Sequence, residues 1–355
     1  MHLKLILNVI LMRTVMWENN KVKLIDQTLL PEEFRIIECR TVDELAEAIK
    51  RLAVRGAPAL EVSGGYGIAL ACFEKDFKSV EEMKEHIKNR AKLLLSTRPT
   101  AVNLFYGIER VLKKALTGND IEEIRRLALE EAEKLAEEDV RRNKLIGKYG
   151  AELLDDGDTV LTYCNTGRLA TVDWGTALGV IRSAIEQGKY IKVIACETRP
   201  LNQGSRLTCW ELMQDGIDVT LITDNMVGIV MQKGMVDKVI VGADRIVRDA
   251  VFNKIGTYTV AIVAKEHNIP FYVAAPTTTF DWDKTMDQVE IEERSKEELI
   301  YCSIKCKKTL IAPKDVKVYN PAFDATPLKY VTAIITEKGI IYPPYSENVP
   351  KIFNL

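Results

Sequence analysis

From about residue 150 onward the chain alternates short, apolar, β-branched runs with helix-like segments, and no other feature limits its fold so strongly. The runs are 159–163, 192–196, 219–222, 239–241 and 271–275. Continuous apolar strands separated by helical crossovers are buried on both faces, as in a parallel sheet covered by helices. In such a sheet ligands gather beyond the carboxyl ends of the strands. Those ends read Cys164-Asn165-Thr166-Gly167, Glu197-Thr198-Arg199-Pro200, Asp224-Asn225, Gly242-Ala243-Asp244-Arg245 and Pro276-Thr277-Thr278-Thr279. Polar, reactive and phosphate-compatible residues thus collect on one edge, which points to a site there.

The first half has a different texture. Strand-like pieces at 21–24 and 34–39 give way to helices. Thr41 with Glu44, and Ser79 with Glu82, carry the capping-box spacing of a helix start. Ile121, Ile124, Leu127, Leu135 and Val140 recur at helical spacing and predict one long amphipathic helix, with Glu130, Glu131, Glu133, Arg141 and Arg142 on its solvated face. The expected organisation is an extension at 1–11, a mainly helical N-terminal domain at 12–145, and a Rossmann-like α/β domain at 146–355. The apolar run in the extension falls short of the ~20 residues a spanning helix needs, and Met12 offers a second start. A soluble, cytoplasmic protein is expected.

Charge excludes some classes of partner. Lys plus Arg number 49 against 51 Asp plus Glu, a net charge of −2, so no global field draws in nucleic acid or an anionic membrane. A phosphate would have to be held by a few placed groups. The 7 cysteines are scattered and odd in number, which argues against a disulfide framework. Cys302 and Cys306 lie four apart but no second ligand pair stands nearby, so no metal is expected. The 3 histidines sit in no motif, which weakens both His-based metal sites and His general bases.

The strand ends and two turns of the first half supply the candidates. Cys164 is placed to act as a thiolate, an acid or a stabiliser of negative charge; the alternative is a buried small hydrophobe. Cys196 and Cys209 have no such context and read as structural. Thr166, Gly167, Thr171, Gly175 and Thr176 are expected at the entry of the next helix, where backbone N–H groups favour an anion, although an ordinary tight turn fits them too. The spacing matches neither a Walker A loop nor a dinucleotide fingerprint. Arg55-Gly56-Ala57-Pro58 and Arg98-Pro99-Thr100 each set an arginine in a tight turn before a helix, a geometry suited to gripping phosphate oxygens from across a cleft. Asp244 is a plausible acid–base group once burial raises it above the ordinary carboxylate pKa of about 3.9. Asp224 and Asp249 read as turn or helix caps.

At these residues the sequence resembles the methylthioribose-1-phosphate isomerase family, over nearly the whole chain from Met12. The marks are Arg55-Gly56-Ala57-Pro58, residues 98–104, Cys164-Asn165-Thr166-Gly167, residues 175–179, Glu197-Thr198-Arg199-Pro200, Gln203-Gly204, residues 242–246, residues 253–258 and Asn320-Pro321-Ala322-Phe323-Asp324. The resemblance implies an aldose–ketose isomerase of methionine salvage, turning 5-methylthioribose 1-phosphate into 5-methylthioribulose 1-phosphate, with no cofactor and as a homodimer. It implies Cys164 and Asp244 as catalytic residues, and Arg55, Gly56, Ala57, Arg98, Gln203, Asn253 and Lys254 as substrate-binding ones. Tyr163 stands where many members have His, and Glu61 where a small residue is common. Three other readings are carried along: action on 5-deoxyribose 1-phosphate, the related ribose-1,5-bisphosphate isomerase, and a non-catalytic subunit like those of translation initiation factor 2B.

Overall fold

The computed structural model describes residues 13–99, 101–304 and 307–353. The expected extension at 1–11, Thr100 of the second basic turn and Cys306 of the cysteine pair lie outside the described residues. The chain divides into two compact units: residues 13–143 with Gly167–Gly175, and Lys144–Thr166 with 176–353.

The first unit opens with an antiparallel sheet of β1 (Val15–Glu18), β2 (Lys21–Ile25) and β3 (Ile36–Cys39). Helices follow: α1 (Val42–Lys50), α2 (Ala57–Ala71), α3 (Val80–Leu95), α4 (Val102–Ala115) and α5 (Ile121–Ala151). Thr41 and Glu44 form the expected capping box at α1. At α3 only half of it forms. The Ser79 hydroxyl accepts the Glu82 N–H, while the Glu82 carboxylate takes the Lys78 N–H and the Lys75 ammonium instead. Every residue of α2 from Pro58 to Ala71 is buried. A helix apolar all round has no solvent face, so the other elements of the unit wrap it.

The second unit, after the last turns of α5, runs β4 (Thr159–Thr162), α6 (Ala177–Glu186), β5 (Lys192–Cys196), α7 (Cys209–Gln214), β6 (Val219–Ile222), α8 (Val227–Gln232), β7 (Lys238–Val241), β8 (Arg245–Ile246), β9 (Ala250–Lys254), α9 (Thr257–Glu266), β10 (Phe271–Ala274), α10 (Glu297–Ile300), β11 (Tyr301–Ile304), β12 (Lys307–Leu310), β13 (Phe323–Pro327), β14 (Ala333–Thr336), β15 (Gly339–Ile341) and α11 (Tyr345–Phe353). Seven strands make one sheet in the order β15-β14-β10-β7-β4-β5-β6, parallel except for β15. All five runs read from the sequence are in it. β14 and β15 were not anticipated, nor was a small antiparallel sheet, β13-β9-β8. Among the described residues no helix is long and apolar enough to cross a membrane.

Two departures from the sequence reading share a cause. The face of α5 expected in solvent is partly inside. Arg142 pairs with Glu61 at 3.2 Å, Glu131 with Arg110 at 2.6 Å, and Glu133 accepts the Tyr66 hydroxyl at 3.0 Å. Periodicity marks an apolar stripe but is blind to charges that satisfy one another. The second departure is Gly167–Gly175, expected to lead straight from β4 into the next helix. Instead it belongs to the first unit, stitched there by Thr14 N–H to Val172 O (2.9 Å), Gln27 Nε2 to Leu169 O (2.7 Å) and Val172 N–H to the Asp139 carboxylate (2.7 Å). Only Thr166 and Thr176 stand at the entry of α6, where the Thr176 N–H donates to Thr166 O at 2.9 Å.

Burial pushes the Asp139 carboxyl up to about 7, against the pull of the Val172 N–H. An acid whose folded pKa lies above its unfolded value of about 3.9 binds more protons folded than unfolded. Its contribution is therefore fully present at low pH and is lost as pH rises through about 7. Asp139→Asn keeps an oxygen for Val172 and removes the titration. The variant should lose less stability than the parent between roughly pH 4 and 7, the difference approaching ~1.4 kcal/mol per pH unit. Urea unfolding at both pH values reads this, and parallel profiles for the two proteins would disprove it.

Candidate active site

In the second unit two chemistry-bearing residues leave adjacent parallel strands at the same edge. β4 and β7 are neighbours, with Val160 opposite Lys238 and Leu161 opposite Val239. Cys164 follows β4 and Asp244 follows β7, so sheet register brings them to one rim. Both are half-buried. The Asp244 N–H donates to Phe252 O at 2.9 Å, which ties it to β9 one residue before Asn253.

Cys164 has φ of 64°, a left-handed conformation that a side chain with a β-carbon rarely adopts. Two threonines hold it there. The Cys164 N–H donates to Thr198 Oγ1 at 2.9 Å, and Thr208 Oγ1 donates to Cys164 O at 2.6 Å. Thr198 is itself left-handed, with φ of 66°, and the Asp224 carboxylate accepts the N–H groups of Thr198 and Arg199 at 2.8 and 2.7 Å. Asp224 is thus a turn cap, as read, and Asp249 likewise accepts the Met286 N–H at 2.8 Å. The Asn165 side chain is buried and turned to Thr208 and Glu211. Cys196 is buried, and burial raises its thiol far above the ordinary range.

Gln203 is buried at the head of a single turn of π-helix, Gly204–Thr208. Asn253 and Lys254 end β9. Asn253 Nδ2 donates to Thr257 Oγ1 at 3.1 Å, and Lys254 Nζ donates to Ala322 O at 3.0 Å while lying over the Phe323 ring. Directly opposite Asn253 in the small sheet is Asp324. Its carboxylate accepts the N–H groups of Gly256 (2.7 Å) and Tyr258 (3.2 Å), capping α9 from outside the helix. Burial pushes it up to about 6, against those donors and Lys254. Asp324 lay in a motif quoted from the sequence but was not singled out, because its register with Asn253 spans 71 residues of chain that carry no local sign of it. Tyr163 is buried with its hydroxyl against Gly256, where a β-carbon would come within 2.2 Å of it.

The first unit holds the two basic turns. Gly56, with φ of 97°, is the residue before α2, and a β-carbon on it would lie 2.5 Å from Ala170 O, so only glycine fits. No side chain among the described residues caps α2, and its first turn carries no acid. Such an end carries the positive pole of the helix dipole, which favours an anion. Arg55 stands beside it, its Nε donating to Gln27 Oε1 at 3.1 Å, and Ala57 begins the helix. Arg98 is half-buried in the turn between α3 and α4, and its carbonyl accepts the Ala101 N–H at 3.1 Å. Buried Glu61 links the two helices that follow these turns: it accepts Asn103 Nδ2 of α4 at 2.7 Å as well as pairing with Arg142. Among the described residues no group of three or more His, Cys, Asp and Glu is gathered as a metal site would require.

Known proteins match this chain along its length. The initiation factor 2 subunit family matches residues 53–343. A putative methylthioribose-1-phosphate isomerase of Archaeoglobus fulgidus is 73% identical over 341 residues, 96% of this chain and 99% of that one. The methylthioribose-1-phosphate isomerase of Acetivibrio thermocellus is 54% identical over 344 residues, again 96% and 99%. Among solved structures, the 5-methylthioribose 1-phosphate isomerase of Pyrococcus horikoshii superposes with a TM-score of 0.90 at 46% identity, covering 97% of this chain and 96% of that one. A protein of A. fulgidus described as translation initiation factor eIF-2B, subunit delta, does so at 0.89 and 72% identity, covering 97% and 100%. On full-length identity and shared fold together, this chain belongs to the initiation factor 2 subunit family.

Proposed function

We propose that the protein is an aldose–ketose isomerase that converts 5-methylthioribose 1-phosphate to 5-methylthioribulose 1-phosphate in methionine salvage. The observation that carries this is full-length identity of 54% to a relative of that name, on a frame that brings Cys164 and Asp244 to one sheet rim. A cytoplasmic homodimer is part of the same reading. Arg55, Arg98 and the uncapped start of α2, with Gly56 and Ala57, suit the phosphate. Gln203, Asn253 and Lys254 suit the phosphate and the sugar hydroxyls.

The chemistry follows from the substrate. Its C1 oxygen carries phosphate, so the open chain presents no free aldehyde. Asp244, protonated, gives its proton to the ring oxygen as the bond from C1 to that oxygen breaks, leaving positive charge shared by C1 and the ester oxygen. Hydrogen then moves from C2 to C1 by one of two routes. In the first, the Cys164 thiolate takes the C2 proton, an enol forms, and the thiol returns the proton to C1. In the second, hydrogen passes directly from C2 to C1 as hydride, and Cys164 only stabilises charge. In both, the C2 hydroxyl proton ends on the Asp244 carboxylate, which restores the acid. Deuterium at C2 washes into solvent on the first route and is retained in the product on the second.

The test is NMR of purified protein with methylthioribose 1-phosphate, 5-deoxyribose 1-phosphate and ribose 1,5-bisphosphate in turn. Ketose from the first is expected, and ketose from the second as well would mark a tolerant 5-position pocket. Turnover of the bisphosphate alone would move the assignment to that isomerase. Folded protein inert toward all three would favour a non-catalytic initiation-factor subunit, the 72% identical structure being described as eIF-2B, subunit delta.

Variants sharpen the assignment. Cys164→Ser and Asp244→Asn should each lower kcat by roughly a hundredfold or more, with near-parental turnover removing the role. Arg55→Ala and Arg98→Ala should act mainly on KM, raising it by roughly tenfold; a KM within twofold of the parent would take the phosphate role away from them.

A further inference from the structure

Beneath Cys164 lies a buried chain of charges that the chemistry above does not use. Arg182 on α6 and Glu211 on α7 are 5% and 1% exposed. Arg182 Nη2 donates to Glu211 Oε2 at 2.9 Å, and its Nε donates to Asp215 Oδ2 at 2.8 Å. The other Glu211 oxygen accepts Asn165 Nδ2 at 2.9 Å. A carboxylate can only accept, so the Asn165 amide must face it with its NH2 group. The same NH2 group donates to Thr208 Oγ1 at 3.2 Å, which leaves the Thr208 proton for Cys164 O. Glu211 therefore accepts from Arg182 on one oxygen and from Asn165 on the other, and donation runs outward from the Asn165 amide through the Thr208 hydroxyl to the Cys164 carbonyl.

The element that carries this chain is unusual. Thr208 ends the π-turn headed by Gln203, and Glu211 lies in the helix that continues it. Insertions of this kind are rare and concentrate at functional sites. Here the turn lies so close to β5 that a β-carbon on Gly204 would sit 1.7 Å from Cys196 O. One rigid turn thus ties Gln203 to the clamp on Cys164.

We propose that Glu211 is a positioning residue for Cys164, acting through Asn165 and Thr208 to keep the thiol in its left-handed, half-buried conformation. The inference rests on the isomerase reading for its kinetic consequence, though not for its chemical one. Two buried ions cost desolvation that packing with apolar side chains would avoid. What this pair does that apolar residues could not is fix the orientation of the Asn165 amide.

Two variants test it. Glu211→Gln leaves Arg182 its Asp215 partner, so no cation is stranded. The glutamine carbonyl can satisfy Arg182 or Asn165 but not both. Thr208→Val keeps the shape and deletes the donor to Cys164 O. For each, kcat, KM, the thermal midpoint and the rate of Cys164 alkylation by iodoacetamide are measured, the last by peptide mass spectrometry so that Cys209 and Cys302 are counted apart. The expected result is kcat lower by roughly tenfold to a hundredfold, the cost of a misplaced reacting group, with KM within about twofold. Alkylation of Cys164 should speed up severalfold as it relaxes from the half-buried conformer. A Cys164 alkylation rate equal to the parent's in both variants overturns the proposal, whatever the thermal midpoint does. If the parent itself turns over no sugar phosphate, the isomerase reading fails, and the alkylation comparison still decides the role of Glu211.

Discussion

A backbone conformation that costs energy sits where β4 ends, and much of the second unit is arranged to hold it. Left-handed geometry at a residue with a β-carbon carries a penalty on the order of 1–3 kcal/mol. At Cys164 that penalty is met by an acceptor on one side, Thr198, and a donor on the other, Thr208. Each threonine is held in turn. Thr198 follows β5 and takes its own left-handed turn under the Asp224 cap. Thr208 closes the π-turn, with Asn165, Glu211 and Arg182 behind it. Residues from three parallel-sheet crossovers thus converge on one cysteine. Strain persists only where the surroundings over-determine it, and here both threonines that hold Cys164 have a second contact, Thr198 with Cys196 O and Thr208 with Asn165.

The first unit uses buried charge in a related way. Glu61 lies inside an otherwise apolar helix, and burial raises its pKa despite Arg142 and Asn103. A lone carboxylate there would be ruinous. Paired, it couples α2 to α5 through Arg142 and to α4 through Asn103, and α2 and α4 are the helices that follow the two basic turns. Asp139, one helical turn before Arg142, fastens Val172 and so the whole Gly167–Gly175 segment. In both units a polar network stands directly behind candidate ligand-binding backbone, where orientation matters more than gross stability.

How much of this was legible in the sequence depends on range. Strands β4, β5, β6, β7 and β10 announce themselves as β-branched runs, so the sheet and the rim holding Cys164 and Asp244 could be read. The capping box of α1 is also local and formed as read, whereas Glu82 found nearer partners in Lys75 and Lys78. Register across distant chain is silent in a single sequence. Nothing near Asp324 says that it will face Asn253, and nothing near Glu211 says that it will reach Asn165. A π-turn has no sequence signature either, so Gln203 could be singled out only through the family resemblance and Thr208 not at all. The charges on α5 were misread for the same reason: Glu61 and Arg110, which draw Arg142 and Glu131 inward, lie far off in the chain.

The fold alone does not distinguish a catalyst from an assembly subunit, since functions are grafted onto shared frames. Discrimination rests on features that a scaffold has no need to maintain. A structural strand end could hold glycine at position 164 without penalty, and leucine and methionine could fill the space of Arg182 and Glu211 at no desolvation cost. Asp324 could cap α9 as asparagine, with no carboxyl driven up to about 6. Each of these costs falls at the same edge of the same sheet or on the small sheet beside it. Selection for stability alone erodes such features, because the cheaper residue is always one substitution or two away. Their concentration at one rim, beside Asp244, is what a site that must orient a thiol and a carboxyl requires.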